Sequence, residues 1–282
     1  MEVQKKSGIS YEEFIEDHYK PRVPVILADI SANWKARGLV TPDYLKKNFP
    51  ERTTFIDHKK YTLGDLVDLV VKSTPEKPAP YPAIFEIRTE LPELLPLISP
   101  VDMGYAKPNW FQSKPFVPGK LGNSLELFFG GPGSQFPFAH IDQYYTNAWI
   151  TQIYGEKQIT VFPSGQDEYL YPEPGNEYVS TVNIFNPDLN KHPLFKNATP
   201  IKSTIKEGET LFIPRGTWHT ASSAEVNISI IFDQINNVNF SEWKKDLWNF
   251  KKRHSVKNAV MSYAFASLAG GYFKIRESLG IK

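Results

Sequence analysis

Two segments of this chain carry side chains suited to holding a metal ion. The first is Pro137-Phe138-Ala139-His140-Ile141-Asp142, which follows the glycine-rich turn Gly130-Gly131-Pro132-Gly133 and precedes a β-branched and aromatic run. On an extended backbone, residues i and i+2 share a face, so His140 and Asp142 can reach one ion from the same side. The second is Pro214-Arg215-Gly216-Thr217-Trp218-His219, where a tight turn after the run 210–213 projects His219 from a rigid element. Two imidazoles and a carboxylate occupy one face of a divalent ion and leave open positions for further ligands, as in non-haem Fe(II) centres. A zinc hydrolase can use the same three ligands, and residue types alone leave both chemistries open. The other four histidines, His18, His58, His192 and His254, have no comparable setting.

Composition narrows the field. The 282 residues include no cysteine, which excludes a disulfide framework, a thiolate zinc site, an iron–sulfur cluster and a cysteine nucleophile. Lysine and arginine number 32 against 31 acidic residues, so the chain lacks the charge footprint of a nucleic-acid binder. The segment MEVQKKSGISYEEF holds no apolar signal region, and no apolar run approaches the length of a membrane span. These features lead us to expect a cytoplasmic protein with neither nucleic acid nor membrane as a partner.

The elements that must position the ligands follow from local pattern. A short amphipathic helix is expected over 11–19, with helices opened by Thr41-Pro42 and by Thr62 near the N-terminus. From about 83 to 236 short β-branched and aromatic runs alternate with turn residues: 83–88, 124–129, 147–154, 158–162, 210–213 and 226–233. The segment 164–204 has little periodicity and reads as an insertion that, with Trp218, borders the substrate entrance. Two C-terminal helices are expected, 240–253 and 256–268, the second stopped by Gly270-Gly271. The expected partition is a domain over 1–236 and a helical extension over 237–282. The extension is more apolar than a lone surface helix needs, which suggests packing on the domain or a homodimer interface.

Taken in order, these motifs resemble the JmjC/cupin-like Fe(II)- and 2-oxoglutarate-dependent oxygenases, a family that includes the asparaginyl hydroxylase acting on hypoxia-inducible factor. The resemblance is carried by Arg22-Val23-Pro24-Val25-Ile26-Leu27, Trp34, Thr41-Pro42-Asp43-Tyr44-Leu45, His140-Ile141-Asp142, Gln152–Lys157, Phe162-Pro163, Tyr169–Pro172, Gly208–Pro214 and Trp218-His219. It implies a mainly β chain: a double-stranded β-helix, a jelly-roll barrel with an N-terminal α/β flank and C-terminal helices. It also implies Fe(II) on His140, Asp142 and His219, with 2-oxoglutarate and O2 as co-substrates. Lys157 matches the family's Gly-x-Lys position and would pair with the distal carboxylate of 2-oxoglutarate.

Other pocket positions depart from the family. Asn147 is a candidate for the bound oxo acid if a bulge near 144–147 turns it inward; a one-residue slip instead points Ala148 there. Thr151 is a candidate hydroxyl on the strand expected to carry Lys157. Pro137 replaces a common hydroxyl residue, Phe85 a carboxylate-binding tyrosine, and Asp233 an asparagine. The implied reaction is hydroxylation of a C–H bond in a protein, peptide or small-molecule side chain. Lysine demethylation and a non-catalytic or Zn/Mn-dependent cupin barrel are the alternatives.

Overall fold

The computed structural model describes residues 2–113, 124–136 and 138–279. Pro137 therefore lies outside the described residues. The N-terminal part supplies strands β1 (Gln4–Lys6), β2 (Val25–Leu27), the hairpin β3 (Thr53–Ile56) and β4 (Lys59–Thr62), and β5 (Ala83–Glu86). Next come β6 (Leu125–Gly130), β7 (Asn147–Tyr154), β8 (Lys157–Val161), a second hairpin of β9 (Pro172–Glu173) and β10 (Asn176–Ser180), and β11 (Ile201–Ile205). The last strands are β12 (Thr210–Ile213), β13 (His219–Ser222) and β14 (Asn227–Gln234). A seven-stranded sheet runs β1-β2-β12-β7-β14-β6-β5, and a three-stranded sheet runs β11-β8-β13.

Both faces of the large sheet are covered, which is why β7 is buried from Asn147 to Ile153. On its outer face Trp149 and Ile153 join Phe14, Tyr19, Leu63, Leu66 and Phe212 in a core beneath the N-terminal helices. On its inner face Ala148 and Ile150 meet Ile159 and Val161 of the small sheet. Gly155 makes the crossing between the sheets. Its φ is +65°, and a Cβ there would lie 2.2 Å from the Val226 carbonyl oxygen. Lys157 thus opens β8 in the small sheet, on a different strand from Thr151.

Helix makes up 34% of the described residues and strand 26%, so the expected mainly β composition gives way to a β core with larger helical flanks. The described residues form these two facing sheets and two separate hairpins; a closed barrel is not found among them. The N-terminal helix is α over Tyr11–Phe14 and then widens to a π-turn over Ile15–Tyr19. Among the described residues no helix is long and apolar enough to cross a membrane.

Helix Phe240–His254 matches expectation within a residue, but helix Val256–Ser278 continues straight through Gly270-Gly271. The glycine is there for packing: a Cβ on Gly270 would sit 2.2 Å from the Phe240 ring. Phe240, Trp243, Leu247, Ala266, Ala269 and Phe273 share a cluster with Trp110 and Ile235, which docks the helical pair onto the end of β14.

Candidate metal centre

His140 and His219 are drawn together by their own backbones. Each N–H donates to the other's carbonyl at 2.9 Å, and the rings lie 4.2 Å apart between centroids. His219 opens β13, whose partner is Val161 of β8. The His140 segment is held on its other side by β10: the Ile141 N–H donates to the Tyr178 carbonyl at 2.8 Å, and the Ser180 N–H to the Ala139 carbonyl at 2.9 Å. The insertion over 164–204 thus braces the ligand segment. Trp218, expected at the entrance, is buried, with its indole N–H on Asp167 Oδ1 at 2.8 Å. Its alternation with His219 turns it to the far side of the strand.

Asp142 Oδ1 lies 3.8 Å from Nε2 of both His140 and His219. One ligand atom from each of the three residues falls within 4.8 Å of the others. The His219 Nδ1 sits 3.0 Å from the Thr217 carbonyl, a bond that places the proton on Nδ1 and frees Nε2 as a lone-pair donor. Burial, and then the neighbouring His219, hold His140 well below the usual imidazole range, so it is neutral and ready to coordinate. Burial pushes the Asp142 carboxyl up, a penalty that a dication would reverse. The donor set fits a divalent ion with positions left open.

The three residues open onto a cavity of about 320 Å³ between the two sheets. Lys157 lines it while only 2% exposed. Its ammonium lies 5.5 Å over the Phe128 ring, and no carboxylate among the described residues pairs with it. Burial without compensation lowers its pKa to about 7. His219 pairs with Val161 at the far end of β8 from Lys157, four residues away or about 13 Å along the strand. A buried cation facing a metal site across a cavity is suited to a ligand that chelates at one end and carries an anion at the other.

Two further acids, Glu126 and Asp233, line the cavity among neutral polar residues. Asp233 Oδ1 accepts the Thr146 hydroxyl at 3.0 Å, and its Oδ2 accepts the Ser124 hydroxyl and the Ser124 N–H. Burial first, then Asp142, raise Asp233 to about 8. Burial, with Glu86 and Asp142 nearby, raises Glu126 to about 7. Asp233 therefore faces the cavity and is bonded there by two hydroxyls. Ser124, Glu126 and Thr146 were not anticipated; the available signal was one acid inside the apolar strand β6.

Asn147 and Thr151 do not line the cavity. Residues 148 and 150 of β7 face inward, so 147 and 151 face the outer core. Asn147 donates to the Tyr19 hydroxyl at 3.0 Å and accepts the Arg215 N–H at 3.0 Å, tying β7 to the turn that leads to His219. Thr151 shares a 2.9 Å hydroxyl bond with Thr210. The chain is irregular before β7, with φ of +60° at Tyr144 and +51° at Tyr145, yet Asn147 is already in regular register with Gln234. Phe85 is likewise buried in the outer core, and Ile84 is the cavity-facing residue of β5. Phe85 therefore cannot replace a carboxylate-binding tyrosine, while Tyr81, just before β5, does line the cavity.

Two facing sheets with a two-histidine, one-aspartate cluster between them form a cupin-type arrangement that could hold a metal ion. The model of the cupin-like domain matches residues 11–240, and the chain belongs to that family. Its relatives include the lysine-specific demethylase JMJ30 of Arabidopsis thaliana, 29% identical over 82% of this chain and 54% of that protein. The arginine-specific demethylase JMJ22 of the same plant is 27% identical over 92% of this chain and 50% of its own length. The tRNA wybutosine-synthesizing protein 5 of Mus musculus is 26% identical over 81% of this chain and 76% of its own. The chain spans about half the length of the two demethylases.

Proposed function

We propose that this chain is an Fe(II)- and 2-oxoglutarate-dependent oxygenase that hydroxylates a C–H bond in a protein, peptide or small-molecule side chain. The observation that carries this reading is the shared cavity of His140, Asp142, His219 and the buried Lys157, which has no carboxylate partner among the described residues. The two facing sheets are then the walls of a double-stranded β-helix, and the likeness to the asparaginyl hydroxylases belongs to the same reading. The names of the plant relatives favour a second form of the same chemistry, removal of an N-methyl group after hydroxylation.

His140, Asp142 and His219 would hold the metal, and Lys157 would hold the distal carboxylate of 2-oxoglutarate. When bound, the iron and its co-substrate supply O2 activation and an oxidant for an unactivated C–H bond. The Thr217 carbonyl fixes the tautomer and orientation of His219. The apolar walls Ile150, Ile159, Ala221 and Ile231 exclude water from the reacting centre. An anionic partner would restore the charge that burial suppresses on Lys157.

We also read the exposed side of helix Val256–Ser278 as a homodimer face. Met261, Phe265, Leu268, Tyr272, Ile275 and Leu279 are all exposed and alternate at spacings of four and three, a seam that fits a second copy of the same helix.

The deciding experiment for the activity is an assay of succinate formation from 2-oxoglutarate with Fe(II). Turnover that disappears in His140→Ala is the expected result. Turnover that survives the substitution, or that never depends on iron, removes the proposal.

A further inference from the structure

Asp142 and His219 each sit beside a tight turn, and one helix reaches both turns. Glu242 and Asp246 are four residues apart on helix Phe240–His254, so their side chains leave the same face one turn apart. Each carboxylate holds the segment of a different ligand candidate.

Glu242 serves the His219 side. Its Oε1 accepts from Arg22 Nη2 at 2.7 Å, and its Oε2 accepts from Arg215 Nε. Arg215 is buried and stands in the turn 214–217, which is closed by the Thr217 N–H on the Pro214 carbonyl at 3.2 Å. That turn presents the Thr217 carbonyl that bonds His219 Nδ1. Burial works against the Glu242 carboxylate, yet Arg215 and Arg22 outweigh it and hold its pKa below the usual range. The bond to Arg215 is therefore charge-assisted, which makes it strong as well as directional.

Asp246 serves the Asp142 side. In the turn after Asp142, Tyr144 and Tyr145 take positive φ values of +60° and +51°. Two successive non-glycine residues in that region are costly and persist only where neighbours enforce them. The helix supplies those neighbours. Tyr144 is buried in the cluster of Ile235, Phe240, Trp243 and Leu247, edge-on to Phe250 at 5.4 Å between ring centroids. Asp246 Oδ2 accepts the Tyr178 hydroxyl. The Tyr178 carbonyl in turn accepts the N–H of Ile141, the residue between His140 and Asp142. Burial raises the Asp246 carboxyl, and the Tyr178 hydroxyl and the Tyr144 amide draw it back.

The two turns also touch. Gly216 has a φ of +74°, and a Cβ on it would lie 3.1 Å from the Tyr145 ring. A shift in one turn therefore presses on the other. Neither carboxylate lines the cavity, so each acts only through the protein.

We propose that Glu242 and Asp246 are positioning residues of the metal centre, which set the placement of His219 through Arg215 and of Asp142 through Tyr178 and the Tyr144 turn. This rests on the metal-site reading above and adds the outer groups that hold its ligands. The backbone bridge between His140 and His219 sets their spacing. The two carboxylates set how the side-chain donors of His219 and Asp142 converge.

The test uses Co(II), whose visible absorption reports ligand geometry without turnover. Metal-free protein is titrated with Co(II) at neutral pH. Glu242→Gln and Asp246→Asn should each weaken binding about tenfold or more relative to wild type and shift the visible band. Tyr178→Phe removes only the hydroxyl bond to Asp246 and should shift the band in the same sense, so it decides if a carboxylate variant unfolds. Val67→Ala, in the core beneath the N-terminal helices, controls for stability alone. It should lower the melting temperature and leave affinity and band as in wild type. Affinity and band that stay unchanged in the folded Glu242, Asp246 and Tyr178 variants overturn the proposal. Equal weakening in Val67→Ala overturns it too, because the effect then follows stability. Absence of Co(II) binding in wild type removes the metal-site reading itself, and the proposal with it.

Discussion

His140 and His219 exchange both of their backbone hydrogen bonds, each at 2.9 Å, so the spacing of the two imidazoles is set by a β-bridge. Strand pairing built from β8, β10 and β13 thus fixes the centre through backbone hydrogen bonds. The amides of His140 and His219 should therefore stay protected from hydrogen exchange in metal-free protein. Exchange at unfolded rates until metal is added would mean that the ion builds the site.

Lys157 sets stability against binding. Its pKa is about 7 in the fold, against 10.5 for an ordinary lysine. Between these values the unfolded chain holds more protons than the folded one, so stability should rise as pH increases from about 7 toward 10. Below about 7 the penalty is fully present. Lys157→Met should flatten that dependence and stabilise the ligand-free protein at pH 7 by on the order of a few kcal/mol. The same variant should lose about 2 kcal/mol or more of 2-oxoglutarate affinity. Denaturant melts across pH, paired with ligand titrations, check both halves.

Asn147 separates a structural role from a co-substrate role. Asn147→Ala leaves the Arg215 N–H without its acceptor and removes one of the two bonds of the Tyr19 hydroxyl, which keeps Asn236, and should cost about 1–3 kcal/mol of stability. Affinity for 2-oxoglutarate, measured on folded protein, should change little. A large loss of affinity with little loss of stability would place Asn147 in the ligand site instead.

Gly270→Ala drives a methyl group into the Phe240 ring and should destabilise the chain by about 1–3 kcal/mol. Phe240→Leu in the same chain should recover part of that loss. Full additivity of the two substitutions in thermal melts would show that the contact is not the cause.

The exposed seam of helix Val256–Ser278 is tested by charge. Leu268, 78% exposed, costs nothing to the monomer when changed to glutamate. Leu268→Glu should convert a dimer to a monomer in light scattering without loss of helicity. A wild-type mass of one chain at working concentrations would remove the proposed face.

Much of the scaffold was legible because its signals are local. Strands β7 and β12 follow from β-branched and aromatic runs, and Thr41 and Thr62 cap their helices through side-chain oxygens as their sequence context implies. The ligand candidates His140 and Asp142 stood out by their i, i+2 spacing. What stayed hidden depends on contacts distant in sequence. The facing of Asn147 is fixed by the register of β7 with β12 and β14. The run through Gly270-Gly271 depends on Phe240, thirty residues away, and helix-stop rules cannot see it. The separate strand of Lys157 follows from the close approach of Gly155 to Val226. Glu126 was passed over because a single acid in a strand reads as a solvent-facing residue until a second sheet is placed above it.

The most direct test of the central claim is an anaerobic titration of Fe(II) into the protein with 2-oxoglutarate present, followed by visible absorption. The predicted result is a charge-transfer band that saturates at one iron per chain, disappears in Asp142→Ala, and needs far more 2-oxoglutarate in Lys157→Met. Tight iron or zinc binding with no such band, or a band indifferent to both substitutions, would contradict the assignment of the cavity to iron and 2-oxoglutarate.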